Sequence, residues 1–404
     1  MPASKTRKTT TPTKPKSTSQ RSRRSTKRSA PSRSMPTWSD ETELIGLRFN
    51  LVADQDSDLY AQYSIGLHAW FLDQIRQVDP ALSRQLHDDS SEKAFTISGL
   101  DGAFVPSGQH LRLTQDQTYR WTVTALSKPV VQWLRKWLET MPEVLELRDA
   151  PLKIAHVEVA NEPLTYVQLA KLKPPARFSI ALSFLSPTSF RSKGRHLPLP
   201  VPRNIFHSYL RRWNDLSSQA PIDQGEFLDW LDEHIIIRRH HLRSLKVAAG
   251  KRGSVTGFTG AIEFGLSASA QKRPEFVQLA YTLAHLAPYC GTGHKTTFGL
   301  GQTQLGWLSS EKTDELALDP ATQTTQLLAQ RIEDLTIRFI AQRKRKGGDR
   351  AQAIAETHAT ILARREFGES LQDIAADLEM PYETVKTYSK LARRSLRDGE
   401  VTHR

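Results

Sequence analysis

The strongest constraint on the fold is the order of two periodicities between residues 44 and 159. In "LIGLRFNL" (44–51), Ile45, Leu47, Phe49 and Leu51 alternate with Gly46, Arg48 and Asn50, the period of a strand with one buried face. The next stretch, "DLYAQYSIGLHAWFLDQIRQV", places Leu59, Tyr63, Leu67, Trp70, Phe71 and Ile75 on one helical stripe. Strand-like "AFTISGL" and "TYRWTVTAL" follow, then a helical "KPVVQWLRKWLETM" and a strand "KIAHVEV". The order β-α-β-β-α-β predicts a ferredoxin-like unit. A second, decorated unit is predicted after it: strand "ARFSIALSFLSP", helices "PRNIFHSYLRRWNDL" and "QGEFLDWLDEHI", strands within 234–266, a helix at 273–289 and a last strand. The fold class is therefore α+β, two ferredoxin-like halves in tandem with a helical C-terminal appendage.

Between the last helix and the last strand lies "APYCGTGHKTTFGLGQ" (287–302). It is not a Walker loop, which needs Lys directly after its final glycine; here His294 follows Gly293. Nor is it a dinucleotide fingerprint, which runs strand, loop, helix rather than helix, loop, strand. Two readings remain for the loop by itself: a cradle of backbone N–H groups for phosphates, or a turn that reverses the chain.

Charge favours a polyanion. The chain of 404 residues carries a net charge of +13, but residues 1–37 hold eleven Lys or Arg and no acid. Beyond residue 37, 45 basic residues face 43 acidic ones. The Ser/Thr/Pro-rich tail has no apolar period and is expected to be disordered. It lacks the apolar core of a secretory signal, and no run of 18 apolar residues predicts a membrane span. The single cysteine, Cys290, fits a reducing cytoplasm and offers no cysteine metal site. Neither a metal nor a cofactor is expected. Two stretches, Lys171 to Asn214 with nine Lys or Arg and His234 to Ile262 with six, contain no acid, the footprint of a nucleic-acid groove.

Residues 184–214, "FLSPTSFRSKGRHLPLPVPRNIFHSYLRRWN", resemble the central motif of the CRISPR-associated endoribonucleases that process precursor CRISPR RNA, in the repeat-associated RNA-binding superfamily. "GTGHKTTFGLGQ" resembles that superfamily's C-terminal glycine-rich loop, and "KAFTISGL" and "GFTGAIEF" match its strands. The resemblance covers about residues 43–307. It implies that the loop meets an RNA backbone, and that a ribose 2′-OH attacks the adjacent phosphate without metal to give a 2′,3′-cyclic phosphate and a 5′-OH. It also implies a proton-transfer histidine on the first helix, which falls on His68 in "LHAWFL". Tyr60 and Tyr63 are candidate assistants, since some members add a tyrosine and a lysine. No lysine follows His68 within two turns, which leaves that role to Lys193, Arg195 or Lys295. His196 and His294 are reserve proton-transfer groups. Expected RNA contacts are Arg191, Lys193, Arg195, His196, Arg238, Arg239, Gly291, Gly293, His294, Lys295, Gly299 and Gly301.

After an acidic, polar stretch at 308–326, expected to be a linker, "SLQDIAADLEMPYETVKTYSKLARRSLRD" (370–398) resembles the helix-turn-helix of sigma-factor region four. The expected division is a tail (1–37), two ferredoxin-like domains (38–160 and 161–307), the linker and a helical domain (327–404). The expected partners are CRISPR repeat RNA, CRISPR effector-complex proteins and, through the C-terminal helix-turn-helix, DNA. The expected location is a prokaryotic cytoplasm. Two other functions stay open: a non-catalytic RNA-binding effector subunit and a DNA-binding regulator.

Overall fold

The alternating stretch forms β1 (Leu44–Val52), followed by β2 (Ser57–Leu59), α1 (Tyr63–Val78), α2 (Pro80–His87), β3 (Phe95–Asp101), β4 (Val105–Ser107), β5 (His110–Leu113), β6 (Thr118–Ala125), α3 (Lys128–Thr140), β7 (Val144–Leu145) and β8 (Leu152–Leu164). The sheet order is β3-β6-β1-β8-β7 and every pair is antiparallel. Counting the four main strands, this is second-third-first-fourth, the ferredoxin-like arrangement. The alternation of β1 turns Leu47, Phe49 and Leu51 onto α1 and α3. There Phe49 meets Trp121 and Trp137 at 5.3 and 5.7 Å between ring centroids, and Phe71 meets Trp133 at 5.4 Å. A small sheet, β2-β5-β4, is an insertion whose strands are too short to show a period.

The second half repeats the scheme with α4 (Tyr166–Ala170), β9 (Ile180–Thr188), β10 (Phe190–Ser192), β11 (Arg195–Leu197), α5 (Pro202–Leu216), α6 (Gln224–His234), β12 (Ile235–Ala248), β13 (Ser254–Leu266), α7 (Pro274–Cys290) and β14 (Thr303–Leu305). Its sheet, β12-β13-β9-β14, has the same second-third-first-fourth order. The C-terminal end of α7 seats on the polar face of the first sheet. Thr124 donates its hydroxyl to the Tyr289 carbonyl at 2.5 Å, and Asn161 Nδ2 donates to the Pro288 carbonyl at 2.9 Å.

Where a linker is expected at 308–326, the chain is helical: α8 (Ser310–Leu318) runs into α9 (Pro320–Ala341), then α10 (Asp349–Glu366), α11 (Leu371–Leu378) and α12 (Tyr382–Val401). The polar residues that suggest a linker are helix caps. Ser309 accepts from the Lys312 amide and Asp319 from the Thr322 amide. The appendage is docked through an apolar cluster that includes Ala61 and Ala248, and by charge. Arg148, in the left-handed region at φ 51°, reaches Glu369 at 2.8 Å and Asp377 at 2.6 Å, and Arg364, fully buried, binds the same two carboxylates.

This computed structural model describes residues 35–87, 92–192, 195–251, 253–342 and 348–401. The expected disordered tail, up to residue 34, and Lys193 lie outside the described residues.

Candidate active site

Helix α1 buries Leu67 and Phe71 and leaves His68, on the edge of that stripe, half-buried against the other half of the molecule. Its Nδ1 lies 2.9 Å from the Thr297 carbonyl oxygen. A carbonyl only accepts, so Nδ1 carries the proton and donates it. The imidazole also rests on Phe298, with ring centroids 4.1 Å apart. Thr297 and Phe298 belong to a short 3-10 turn, Thr296–Phe298, inside the glycine-rich loop.

The loop is held from both halves. On its own side, Ser208 and Arg212 of α5 grip it. The Gly293 amide donates to Ser208 Oγ at 3.0 Å, and Arg212 Nη2 donates to the Gly293 carbonyl at 2.8 Å. Arg212 is 4 % exposed and also donates to the Ser208 carbonyl at 3.0 Å. The Tyr209 and Thr292 hydroxyls share a hydrogen bond of 2.6 Å, and Thr292 and Thr303 another of 2.7 Å. On the far side, Gln302 Nε2 donates to the Ile97 carbonyl at 3.0 Å and Gly299 bridges Ser98. Gly293 has φ 79°, and a Cβ there would stand 2.2 Å from the Ser189 carbonyl oxygen. Gly291, Gly299 and Gly301 also lie at positive φ, so the glycines serve the loop's path rather than leaving open space for a ligand.

The basic candidates divide. Arg191 and Arg195 are exposed on the β10–β11 hairpin beside the loop, where Arg191 pairs with His196. His196 Nδ1 and His294 Nε2 are 3.3 Å apart. Burial, then the charges of Lys295, His196 and Arg191, push the His294 imidazole down to about 3. Burial and the neighbouring cations also lower His196. Both rings are thus biased to the neutral form and suit hydrogen bonding better than charge neutralisation. Lys295, in the left-handed region at φ 59°, turns inward and donates its ammonium to the Ala249 carbonyl at 2.6 Å. Burial lowers it to about 8.

Four sequence candidates are not brought to His68. Tyr60 and Tyr63 are each 6 % exposed and belong to the first core, where burial raises both phenols. Tyr60 lies under the Arg148 guanidinium, 3.7 Å from its ring centroid, and Tyr63 packs on Phe104. Arg238 and Arg239 sit where β12 faces Glu263, itself opposite Ala181 at the start of β9, whereas the loop meets Ser189 beyond the end of that strand. That separation is about 25 Å at the rise of a strand. Arg239 binds Glu263 at 2.6 Å and covers Trp307. Sequence reasoning missed Thr297, Phe298, Ser208, Tyr209 and Arg212. The last three lie inside the 184–214 motif, but nothing in their spacing says that they hold a loop eighty residues away.

Two ferredoxin-like halves that share a histidine and a glycine-rich loop define the class. Family comparison agrees: residues 46–162 match the CRISPR Cas6 N-terminal domain and residues 182–303 match the CRISPR-associated endoribonuclease Cas6. The chain belongs to this Cas6 family. A curated CRISPR-associated endoribonuclease Cas6 of Streptococcus thermophilus is 28% identical over 125 residues, 31% of this chain. That match spans 49% of the relative's own length. Among solved structures, one Cas6 product complex superposes with a TM-score of 0.52 at 28% identity, covering 65% of this chain and 100% of the other. A second Cas6 product complex gives 0.51 at 25% identity, covering 65% and 99%. Both family matches end before α8.

Proposed function

We propose that the protein is an endoribonuclease that cuts precursor CRISPR RNA within its repeats by internal 2′-OH attack, with His68 as the proton-transfer group. The observation that carries this reading is the bond from His68 Nδ1 to the Thr297 carbonyl, at the seam between the two halves. With Nδ1 committed as donor, Nε2 is the atom through which a proton passes, and in the neutral ring it is a base. Nε2 takes the 2′-OH proton, O2′ bonds to phosphorus, and the phosphorus–O5′ bond breaks. One imidazole does not reach both apical oxygens of an in-line displacement, so water protonates the leaving O5′. Arg191 and Arg195, exposed beside the loop, supply positive charge for the phosphorane.

The test is cleavage of a repeat RNA in excess chelator, beside the same RNA carrying hydrogen in place of the 2′-OH at the scissile ribose. Cutting of the first and binding without cutting of the second support the reading. Strict dependence on a divalent ion overturns the mechanism, and tight binding with no cutting of either RNA favours a non-catalytic RNA-binding subunit.

A further inference from the structure

The last two helices carry a surface that the His68 site does not use. Ser370 caps α11 by accepting from the Asp373 amide, and Glu379, left-handed at φ 52°, turns the chain into α12. Ile374, Ala375 and Leu378 of α11 pack on Val385 of α12 and on Ile361 of α10. This is the packing of a helix-turn-helix, in which one face of the second helix is left outside.

The charges of this unit are sorted by side. Up to residue 397 its acids are engaged: Glu369 and Asp377 with Arg364 and Arg148, Asp373 with Arg148 at 3.7 Å, Glu379 with Lys251 at 2.5 Å, and Glu383 with Lys386 at 3.2 Å. The outward face of α12 then presents Lys390, Arg393 and Arg397, all exposed, on one stripe. Among the side chains described, which end at Arg397, none of the three pairs with a carboxylate. Exposed Tyr382 and Thr387 lie toward the N-terminal end of the same helix. The network around Arg364 ties α11 to α10 and, through Arg148, to the first half of the molecule.

We propose that the outward face of α12 docks in the major groove of double-stranded DNA. The charge calls for a polyanion, and the helix selects among polyanions. The major groove of B-form DNA, about 12 Å wide, admits an α-helix. The deep, narrow major groove of an A-form RNA duplex does not. This inference does not rest on the RNA-cleavage reading, because the face lies outside the seam and outside the segments that match the Cas6 family.

The experiment is a salt titration of binding by the full chain to a DNA duplex of roughly 20 base pairs, two helical turns, and to an RNA duplex of the same sequence. Wild type is compared with a variant carrying Lys390→Ala, Arg393→Ala and Arg397→Ala. The basic N-terminal residues are common to both proteins, so the difference reads α12 alone. The expected result is a DNA salt slope shallower by about two to three units, roughly 0.9 for each phosphate that is no longer neutralised, with little change for duplex RNA and unchanged repeat cleavage. Should the triple variant fail to fold, Lys390→Ala alone is expected to lower the slope by about one unit. An unchanged DNA slope in a folded variant overturns the proposal. So does an equal weakening on duplex RNA, which would mean that the face reads charge and not groove shape. Loss of repeat cleavage would assign these cations to the RNA path instead, and overturns it too.

Discussion

His68 and Thr297 are 229 residues apart in sequence and joined by a 2.9 Å hydrogen bond from an imidazole nitrogen to a carbonyl. The bond fixes the tautomer of the one histidine that stands at the seam on α1, and Phe298 fixes the ring plane. His68→Ala is expected to slow cleavage roughly a hundredfold to ten-thousandfold, the usual loss of one general acid or base. RNA affinity should stay unchanged, since it rests on distributed phosphate contacts. Single-turnover cleavage beside a binding titration on the same labelled repeat separates the two effects. A mutant within about threefold of wild type falls far short of that acid–base range and removes His68 from the mechanism.

Two glycines distinguish strain from obstruction. Gly306, at φ 102°, has nothing within 4 Å of an added Cβ, whereas at Gly293, φ 79°, the Cβ would meet the Ser189 carbonyl oxygen at 2.2 Å. Gly306→Ala is expected to cost about 1–3 kcal/mol, the penalty of a left-handed side chain alone. Gly293→Ala must also move the loop that carries Thr297. It should lower stability further and slow cleavage about a hundredfold, as expected for a displaced catalytic geometry. Chemical denaturation and single-turnover rates measure both. Equal stability and equal activity in the two variants would show that the loop adapts.

Much of the fold is legible because periodicity reports burial locally. The alternation of 44–51 survives in the structure, and so does the stripe of α1 from Tyr63 onward, whereas Leu59, expected on that stripe, ends the short strand β2 instead. Charge is read less well, because the neutralising acids are distant in sequence. In the acid-free stretch 171–214, Arg203 binds Asp229 and Asp232, Arg211 binds Glu92, and Arg212 is buried on the loop. A run of cations is therefore a footprint only where the fold leaves it unmatched, as it leaves Arg191 and Arg195 among the described residues. The tyrosines fail for a related reason: helical spacing says that Tyr63 shares a stripe, and the stripe is the core.

Acid should loosen the loop. The His294 imidazole, held down to about 3 against an ordinary 6.5, is neutral in the folded state through a window where the unfolded chain takes up a proton. Its folded value is the lower one, so its stability contribution is full above about 6.5 and eroded as pH falls toward 3. His294→Gln keeps a polar side chain without the titration. The expected outcome is a denaturation midpoint that depends less on pH than wild type across that window. An identical pH dependence would mean that His294 does not titrate against folding.

Lys295 tests whether the loop's own lysine touches RNA. Its ammonium donates to the Ala249 carbonyl at 2.6 Å, and Arg191 adds repulsion to the cost of burial. Replacing a lysine that contacts phosphate lowers the salt slope of binding by about one unit. Lys295→Ala is expected to leave that slope nearly unchanged, while Arg191→Ala and Arg195→Ala each lower it by about one. A stability measurement gives an independent check. Folding depresses this lysine from 10.5 to about 8, so the unfolded chain holds the proton more tightly. The contribution is present above 10.5 and lost as pH falls to about 8. Wild type should therefore gain stability across that window relative to Lys295→Met, which cannot titrate. A full-unit drop in salt slope for Lys295→Ala, with no such difference in stability, would turn the ammonium outward onto the RNA backbone.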